Sequence, residues 1–187
     1  MSQHPMTSTL RFRLMALTFK VRDFFRPREH VLAEAGIKKG DRVLDYGCGS
    51  GSYIRLASAL VGSEGKVYAL DAHPAAVATV ERLAAKKGLH NVKVIHSDCQ
   101  TGLPDGSVDV VLLYDVLHHL DKAQDVLAEL RRVLRPGGTL SVSDHHMKDG
   151  EVVAAVTRGG MFVLANKGAR THRFLKAGME RSSAGTN

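Results

Sequence analysis

The sequence predicts an α/β fold in which a doubly wound, mostly parallel seven-stranded sheet ends in an antiparallel C-terminal hairpin. Three observations support this. An apolar strand leads through three alternating glycines into a helix at positions 41 to 61, four further strand-like segments alternate with helical ones up to position 143, and two more strand-like segments lie near the C-terminus. Strands separated by helices favour parallel pairing with right-handed crossovers. One domain accounts for 187 residues.

The first strand and the turn after it are the most informative part of the chain. The run Asp41 to Tyr46 is apolar like a buried strand, and helical spacing follows from Tyr53 onward. Glycines at 47, 49 and 51 let the backbone turn tightly and let a ligand approach it at a helix N-terminus. A dinucleotide fingerprint would require glycine instead of Ser52.

Asp45, at the end of this strand, favours a cationic ligand over a pyrophosphate. A carboxylate repels phosphate in a partly desolvated crevice and attracts an ammonium or sulfonium group. S-adenosylmethionine is a nucleoside that carries both of these cations. Asp71 ends the next apolar run twenty positions after Gly51, where an acidic residue would hold a ribose diol.

The remaining elements alternate along the chain. We predict strands at Lys66 to Leu70, Asn91 to His96, Val108 to Tyr114 and Thr139 to Ser143, helices from Pro74 to Gly88, Ala123 to Leu134 and Asp149 to Thr157, and hairpin strands at Gly160 to Asn166 and Arg170 to Lys176. The Pro136-Gly137-Gly138 sequence is expected to stop the second of these helices and to release the last parallel strand.

Five motifs, in this order and spacing, resemble those of the class I S-adenosylmethionine-dependent methyltransferases, most closely the ubiquinone/menaquinone-type branch. The motifs are VLDYGCGSGSY, YALDAHP, HSDC, DVVLLYDVLHHL and LRRVLRPGGTL, and they cover positions 41 to 145. The resemblance implies a Rossmann-like fold, S-adenosyl-L-methionine as cofactor and S-adenosyl-L-homocysteine as product.

The resemblance also implies a cofactor site. The glycines would approach the methionine part, Asp45 would support its ammonium group, and Asp71 would take the ribose hydroxyls. Asp98 and the backbone of Cys99 would bind the adenine, although a turn-forming role is the alternative for Asp98. The full expected set is Asp45, Tyr46, Gly47, Cys48, Gly49, Gly51, Asp71, Ala72, His73, Asp98, Cys99, Tyr114 and Asp115.

The sequence does not single out one catalytic base. Methyl transfer from a sulfonium is an in-line displacement whose leaving group needs no acid, so alignment can supply much of the rate. A base is required only when the acceptor arrives protonated, and histidine suits that role, although a structural or rim role is the alternative. The candidates are His118, His119, His145 and His146, with Asp144 beside them, and Tyr114 as a group that orients acceptor or cofactor.

No metal site is expected. Adjacent histidines on an extended or turning chain should point in different directions, so each pair would offer one ligand. Cys48 and Cys99 are interpreted as small buried residues.

The basic charge of the chain is concentrated in its flanks. The formal net charge is +7, with +5 at positions 11 to 28 and +4 at positions 148 to 187. A strongly apolar helix is predicted from Leu10 to Phe25, and it would act as a lid, complete the core or contact a membrane surface. A second helix is predicted from Arg28 to Ala35. We expect one methyltransferase domain over positions 1 to 187, with a helical cover at 1 to 36, a cofactor-binding core at 41 to 145 and a C-terminal helix and hairpin at 149 to 177.

The predicted function is methyl transfer to a small acceptor that is anionic or lipophilic. An RNA methyltransferase, favoured by the basic flanks but opposed by the lack of Trp, and a cofactor-binding protein without turnover are the alternatives. Nucleic acid is not the expected partner, and the protein is expected as a monomer or homodimer. With no signal peptide and no apolar run near 20 residues, a reducing cytoplasmic location is the expectation.

Overall fold

The computed structural model describes residues 28–178 as one sheet with helices on both faces. The helices are α1 (Arg28–Ala35), α2 (Ile54–Val61), α3 (Pro74–Lys87), α4 (Ala123–Val133) and α5 (Asp149–Thr157), with a turn of 3-10 helix at Leu117–His119. The strands are β1 (Arg42–Tyr46), β2 (Lys66–Asp71), β3 (Val92–His96), β4 (Val108–Tyr114), β5 (Leu134–Ser143), β6 (Phe162–Lys167) and β7 (His172–Lys176). The helix predicted at positions 10 to 25 lies outside the described residues.

The sheet has the order β3-β2-β1-β4-β5-β7-β6. The first five strands pair in parallel, whereas β7 pairs antiparallel with both β5 and β6. The predicted fold class is therefore confirmed. Strand order reverses between β1 and β4, and ligands of doubly wound sheets bind beyond the carboxyl ends of the strands at such a switch point.

The central strands are buried on both faces, and this confines their polar side chains to the strand ends. In β1, Val43 packs with the apolar residues of α1, α2 and α3, while Leu44 packs with those of α4 and α5. Val110 and Val111 of β4 divide between the two layers in the same way. Near-continuous apolar runs are typical of such strands. Asp45, Asp71 and Asp115 follow these runs at the same edge of the sheet.

The start of β5 differs from the prediction. The helix α4 ends at Val133 and β5 begins at once at Leu134, so Pro136-Gly137-Gly138 lies within the strand instead of before it. Pairing with β4 passes from Val108↔Leu134 to Val110↔Thr139, so β4 advances by two residues while β5 advances by five. Pro136, Gly137 and Gly138 therefore lie in a bulge of β5. Pro136 disfavours the helical region at Arg135, the residue before it. Leu134, one position earlier, is already extended and pairs with Val108.

A buried carboxylate joins α4 to the segment between β3 and β4. Glu129, 6% exposed, accepts hydrogen bonds from the Thr101 amide (2.7 Å) and hydroxyl (2.6 Å) and from the Arg132 guanidinium (2.7 and 2.8 Å). The bonds from Arg132, together with those from Thr101, outweigh burial and lower the pKa of Glu129 from 4.5 to about 2. This carboxylate therefore stabilises the folded state in its ionised form.

Residues 28–178 contain no helix with the length and apolar character needed to span a membrane.

Glu129→Gln should lower the free energy of unfolding at pH 7 by about 2 kcal/mol, because two or more charge-assisted bonds are lost. Because the pKa of Glu129 is lowered in the folded state, its carboxylate stabilises the fold fully above pH 4.5. This contribution is lost as the pH falls towards 2. The difference between wild type and variant should consequently shrink between pH 5 and about 2. Urea unfolding across this range measures it.

Glu81→Gln, at an exposed position of α3, is the matched control and should leave stability unchanged at every pH. A Glu129→Gln deficit that persisted undiminished at pH 2 would show that its charge is not what stabilises the fold.

Candidate active site

A cavity of about 680 Å³ lies beyond the carboxyl ends of β1, β2, β3 and β4. It lies at the switch point, where the ends of the parallel strands meet. Most of the expected cofactor residues line it: Asp45, Tyr46, Gly47, Cys48, Gly49, Asp71, Ala72, Asp98, Cys99, Tyr114 and Asp115. Gly51 and His73 are not among the lining residues.

Asp45 has the most unusual electrostatic environment of these residues. Its side chain is 2% exposed, and Oδ2 has no hydrogen-bond partner within residues 28–178. Burial, and then the charge of Asp71, raise the pKa of Asp45 from 3.8 to about 7, and Arg28 opposes the rise. A buried carboxyl oxygen that lacks a partner is suited to accept a bond from a ligand cation that enters the cavity.

Asp71 fixes the shape of the glycine turn. Its Oδ2 accepts the Gly49 amide at 2.8 Å, and its Oδ1 accepts the His73 amide at 2.8 Å. The sequence indicated only a ligand-binding role for this residue. Carboxylate oxygens can accept more than one bond, so both oxygens retain capacity for a ligand hydroxyl.

The three glycines of the turn meet different constraints. Gly47 has φ +78°, and a Cβ there would clash with a methyl of Val116, whereas a Cβ on Gly49 would meet nothing within 4 Å. Gly49 therefore leaves open space for a ligand. Gly51 is buried with φ +79°, and a Cβ on it would lie 3.0 Å from Val80 of α3. Backbone conformation and packing explain this glycine, while its expected contact with a ligand stays a prediction.

His73 and Tyr46 also have structural roles. The His73 Nδ1 accepts the Ala75 amide at 3.1 Å and so caps the N-terminus of α3. The Tyr46 hydroxyl donates to the Asp98 carbonyl at 3.0 Å, which ties the end of β1 to the loop after β3. The predicted packing of His73 beside an adenine stays a prediction.

The cavity is strongly acidic although the chain is basic. Its Asp, Glu, Lys and Arg residues are six aspartates and one lysine, which give a formal charge of −5 with His119 neutral. Such a lining attracts cations and repels phosphates. The charged residues are Asp45, Asp71, Asp98, Asp115, Asp121, Asp125 and Lys122.

Part of the lining was missed by sequence analysis. Leu120, Asp121, Lys122 and Asp125 reach the cavity from the loop between β4 and α4 and from the first turn of that helix. Tyr53 also lines it, from the end of the glycine turn. The only available signal was the position of this loop after β4, at the same edge as the other strand ends.

The Tyr114 hydroxyl has a hydrogen-bond partner within the fold, and its expected role in orienting acceptor or cofactor stays a prediction. It lies 2.8 Å from the Ser141 hydroxyl in the buried region between β4 and β5. Burial raises the pKa of Tyr114 well above its ordinary value. The ring packs edge-on against Tyr53, with 5.0 Å between centroids, so Tyr114 supports the cavity wall.

A second cavity, of about 570 Å³, adjoins the first and shares Tyr53 and Asp115 with it. It lies above the carboxyl ends of β4 and β5, between the start of α1 and the turn before β7. Its lining is mostly polar and comprises Arg28, Val31, Tyr53, Asp115, Ser143, Asp144, His145, Met147, Asp149, Val152, Ala169, Arg170 and His172.

Two reciprocal histidine–aspartate pairs connect the loops that follow β4 and β5. The His118 Nδ1 lies 2.8 Å from Asp144 Oδ2, and the His145 Nδ1 forms a short contact with Asp115 Oδ1. Each pair thus takes one residue from each loop. Asp115 adopts φ 57°, an uncommon conformation for a residue other than glycine, at the centre of this arrangement.

The rings of the four candidate histidines lie in contact and are tilted to one another by 42° to 49°. Centroids lie 3.8 Å apart for His118 and His119, 4.3 Å for His118 and His146, and 3.9 Å for His145 and His146. The prediction that adjacent histidines point apart is wrong, because one pair lies in a 3-10 turn and the other in a tight turn. Partial desolvation, then the neighbouring rings, lower the pKa of His146.

The histidines differ in their access to the cavities. His119 lines the first cavity and His145 the second, whereas His118 and His146 line neither. Within residues 28–178 no three His, Cys, Asp or Glu side chains are arranged to hold a metal ion.

Comparison with known proteins adds a family match. A family described as "Methyltransferase domain" matches residues 37–176. The crystal structure of a SAM-dependent methyltransferase from Aquifex aeolicus is similar with a TM-score of 0.71 and 28% identity, covering 84% of this chain and 96% of that one.

Curated relatives point to the same chemistry. A demethylmenaquinone methyltransferase of Geobacillus stearothermophilus is 37% identical over 112 residues, which are 59% of this chain and 48% of the relative. A ubiquinone/menaquinone biosynthesis C-methyltransferase UbiE of Marinomonas sp. is 29% identical over 131 residues, 69% of this chain and 52% of the relative. The chain spans about half the length of these curated relatives.

Asp45→Asn should stabilise the protein without ligand at pH 8, by on the order of 2 kcal/mol. The folded-state pKa of Asp45, about 7, exceeds the ordinary value of 3.8. The protein is therefore fully stable below pH 3.8, where the carboxyl is protonated, and loses stability as the pH rises through 7. The variant should lose no stability over this range. Chemical unfolding at pH 4, 6 and 8 measures the difference.

Asp41→Asn provides the control, since Asp41 accepts the Lys38 amide at an exposed site remote from the cavity. A wild-type protein as stable as Asp45→Asn at pH 8 would contradict the raised pKa.

Proposed function

Because this chain belongs to the class I S-adenosylmethionine-dependent methyltransferases, we propose that it transfers a methyl group to a small acceptor bound in the second cavity. The observation that carries this proposal is the buried Asp45 oxygen without a partner within residues 28–178, in a cavity of formal charge −5. A cofactor with two cationic groups supplies the charge that this wall lacks. When bound, S-adenosylmethionine supplies an electrophilic methyl group.

The residues around the first cavity fit this cofactor. Asp45 would accept its ammonium group, Gly49 would allow close approach of the methionine part, and Asp71 would accept the ribose hydroxyls with the lone pairs that its amide bonds leave free. Asp98 and Cys99, after β3, would hold the adenine. The acidic lining supports a cation at this position and opposes a dinucleotide.

The acceptor is proposed to be small and lipophilic in part. Relatives named for demethylmenaquinone and for ubiquinone/menaquinone biosynthesis support this class. The second cavity adjoins the first at Tyr53 and Asp115, so an acceptor there would lie beside the cofactor. Holding two reactants side by side accounts for much of the rate effect of an in-line transfer.

A protonated acceptor would pass its proton to a histidine. His145 lines the second cavity, and its Nδ1 contact with Asp115 leaves Nε2 as the acceptor nitrogen. His118 is held by Asp144 in the same way but lines neither cavity. We therefore assign the base to His145 and a positioning role to the His118–Asp144 pair.

RNA is the less favoured acceptor, because the first cavity has a formal charge of −5 and would repel its phosphates. Cofactor binding without turnover is the remaining alternative. Mass-spectrometric detection of methylated product with a panel of phenols, quinols and RNA would decide among these.

Asp71→Asn should weaken S-adenosylmethionine binding about ten- to a hundredfold, because the ribose would lose a charge-assisted hydrogen bond. Isothermal titration calorimetry measures the dissociation constant, and thermal unfolding shows whether the variant folds. Asp41→Asn, an aspartate that also accepts a backbone amide, should bind as the wild type does. Wild-type affinity in folded Asp71→Asn would remove the ribose assignment.

His145→Ala should abolish the rise of the methyl-transfer rate with pH that a general base produces with a phenol as acceptor. The measurement is the initial rate of S-adenosylhomocysteine formation from pH 5.5 to 8.5. His90→Ala, at an exposed site near β3, is the control. If His145→Ala retains the rising limb, alignment alone drives the reaction or another group is the base.

A further inference from the structure

We propose that the second cavity selects an acceptor that carries a carboxylate, which Arg170 and His172 bind while the reacting atom faces the cofactor. This inference rests on the proposed methyltransferase function and specifies its substrate class. Neither residue belonged to the candidate site derived from the sequence. Three observations support the proposal. The carboxylates of the cavity are already hydrogen-bonded or ion-paired, two nitrogen-bearing side chains lack partners within residues 28–178, and the fold fixes the positions of these two side chains.

The carboxylates of the second cavity already have donors. Asp115 is paired with His145. Asp144 accepts the His118 ring, the His118 amide at 3.1 Å and the His146 amide at 3.1 Å. Asp149 lies 2.5 Å from the Lys167 ammonium, which lowers its pKa. Each of these carboxylates is therefore already hydrogen-bonded or ion-paired within the fold.

Two nitrogen-bearing groups remain available. His172 is 5% exposed, and its Nε2 has no hydrogen-bond partner within residues 28–178. The nearby Asp149 Oδ1, at 3.7 Å, is too distant for a hydrogen bond. The Arg170 guanidinium likewise has no hydrogen-bond or ion-pair partner in the described part of the chain. Both residues line the cavity.

The fold holds these two residues in place. His172 begins β7 and pairs with Val142 of β5, so the sheet sets its position. Glu34 of α1 holds the turn before it, because its Oε2 accepts the Arg170 amide at 3.0 Å, the Thr171 amide at 2.9 Å and the Thr171 hydroxyl at 3.0 Å. Burial raises the pKa of Glu34, but these bonds outweigh it and the net shift is downward.

An anionic oxygen is the ligand that satisfies both groups. A guanidinium presents parallel N–H groups that match a carboxylate, and a buried imidazole can donate the adjacent bond. The two cavities then take opposite charges, a cationic donor in the first and an anionic acceptor in the second. In the transfer, the acceptor's nucleophilic atom forms the bond to the methyl carbon as the carbon–sulfur bond breaks. Its proton passes to His145, and the bound carboxylate is unchanged.

The test compares two probes that differ in one group, 4-hydroxybenzoate and 4-hydroxybenzyl alcohol, binding to the full chain saturated with S-adenosylhomocysteine. The carboxylate should bind at least tenfold more tightly. His172→Phe and Arg170→Met should each remove on the order of tenfold of that preference without changing affinity for the alcohol or for S-adenosylhomocysteine. His172→Gln, which keeps a donor, should restore part of it.

Arg158→Met is the matched control, an exposed arginine at the opposite end of α5, and should behave as the wild type. Equal affinity for the two probes, or an undiminished preference in both variants, would overturn the carboxylate site while leaving cofactor binding and methyl transfer intact. Failure of the wild type to bind S-adenosylhomocysteine would instead overturn the methyltransferase proposal, and this inference with it.

Discussion

The hydrogen bonds that Asp71 accepts from the Gly49 and His73 amides connect three parts of the molecule: the end of β2, the turn after β1 and the start of α3. They hold the turn in the open shape that leaves space above Gly49. The carbonyl of Leu70, next to Asp71, also accepts the Gly47 and Cys48 amides. The cavity wall is therefore a consequence of how two neighbouring strands end.

The fold was predictable because its signals are local. Each signal depends only on residues that are close together in the sequence. The signals are the apolar runs of strand length, the glycines at 47 to 51 and the apolar face of α4. The early start of β5 was missed because Leu134 serves equally well as the last apolar residue of a helix or the first of a strand, and only pairing with Val108 decides. The site was predictable only in part, since the ring contact of His118 with His146 and the hydrogen bond of Glu34 with Thr171 join segments far apart in sequence.

The first cavity is acidic although the chain as a whole is basic. A chain with formal charge +7 directs six aspartates into one cavity and places Arg170 in the neighbouring one. The raised pKa of Asp45 shows that this arrangement costs stability in the absence of a ligand. Polar groups that weaken the fold are typical of sites whose ligand completes their interactions.

The contact between Glu34 and the turn at Arg170 and Thr171 spans 136 and 137 positions of the chain. During synthesis on the ribosome, residues that line the first cavity, 45 to 126, emerge well before this turn does. The hydrogen bonds of Glu34 can form only after almost the whole described chain has been synthesised. Non-local contacts of this kind form late and slowly. The second cavity is therefore the last part of the described domain that a growing chain can complete, after the first cavity has been made.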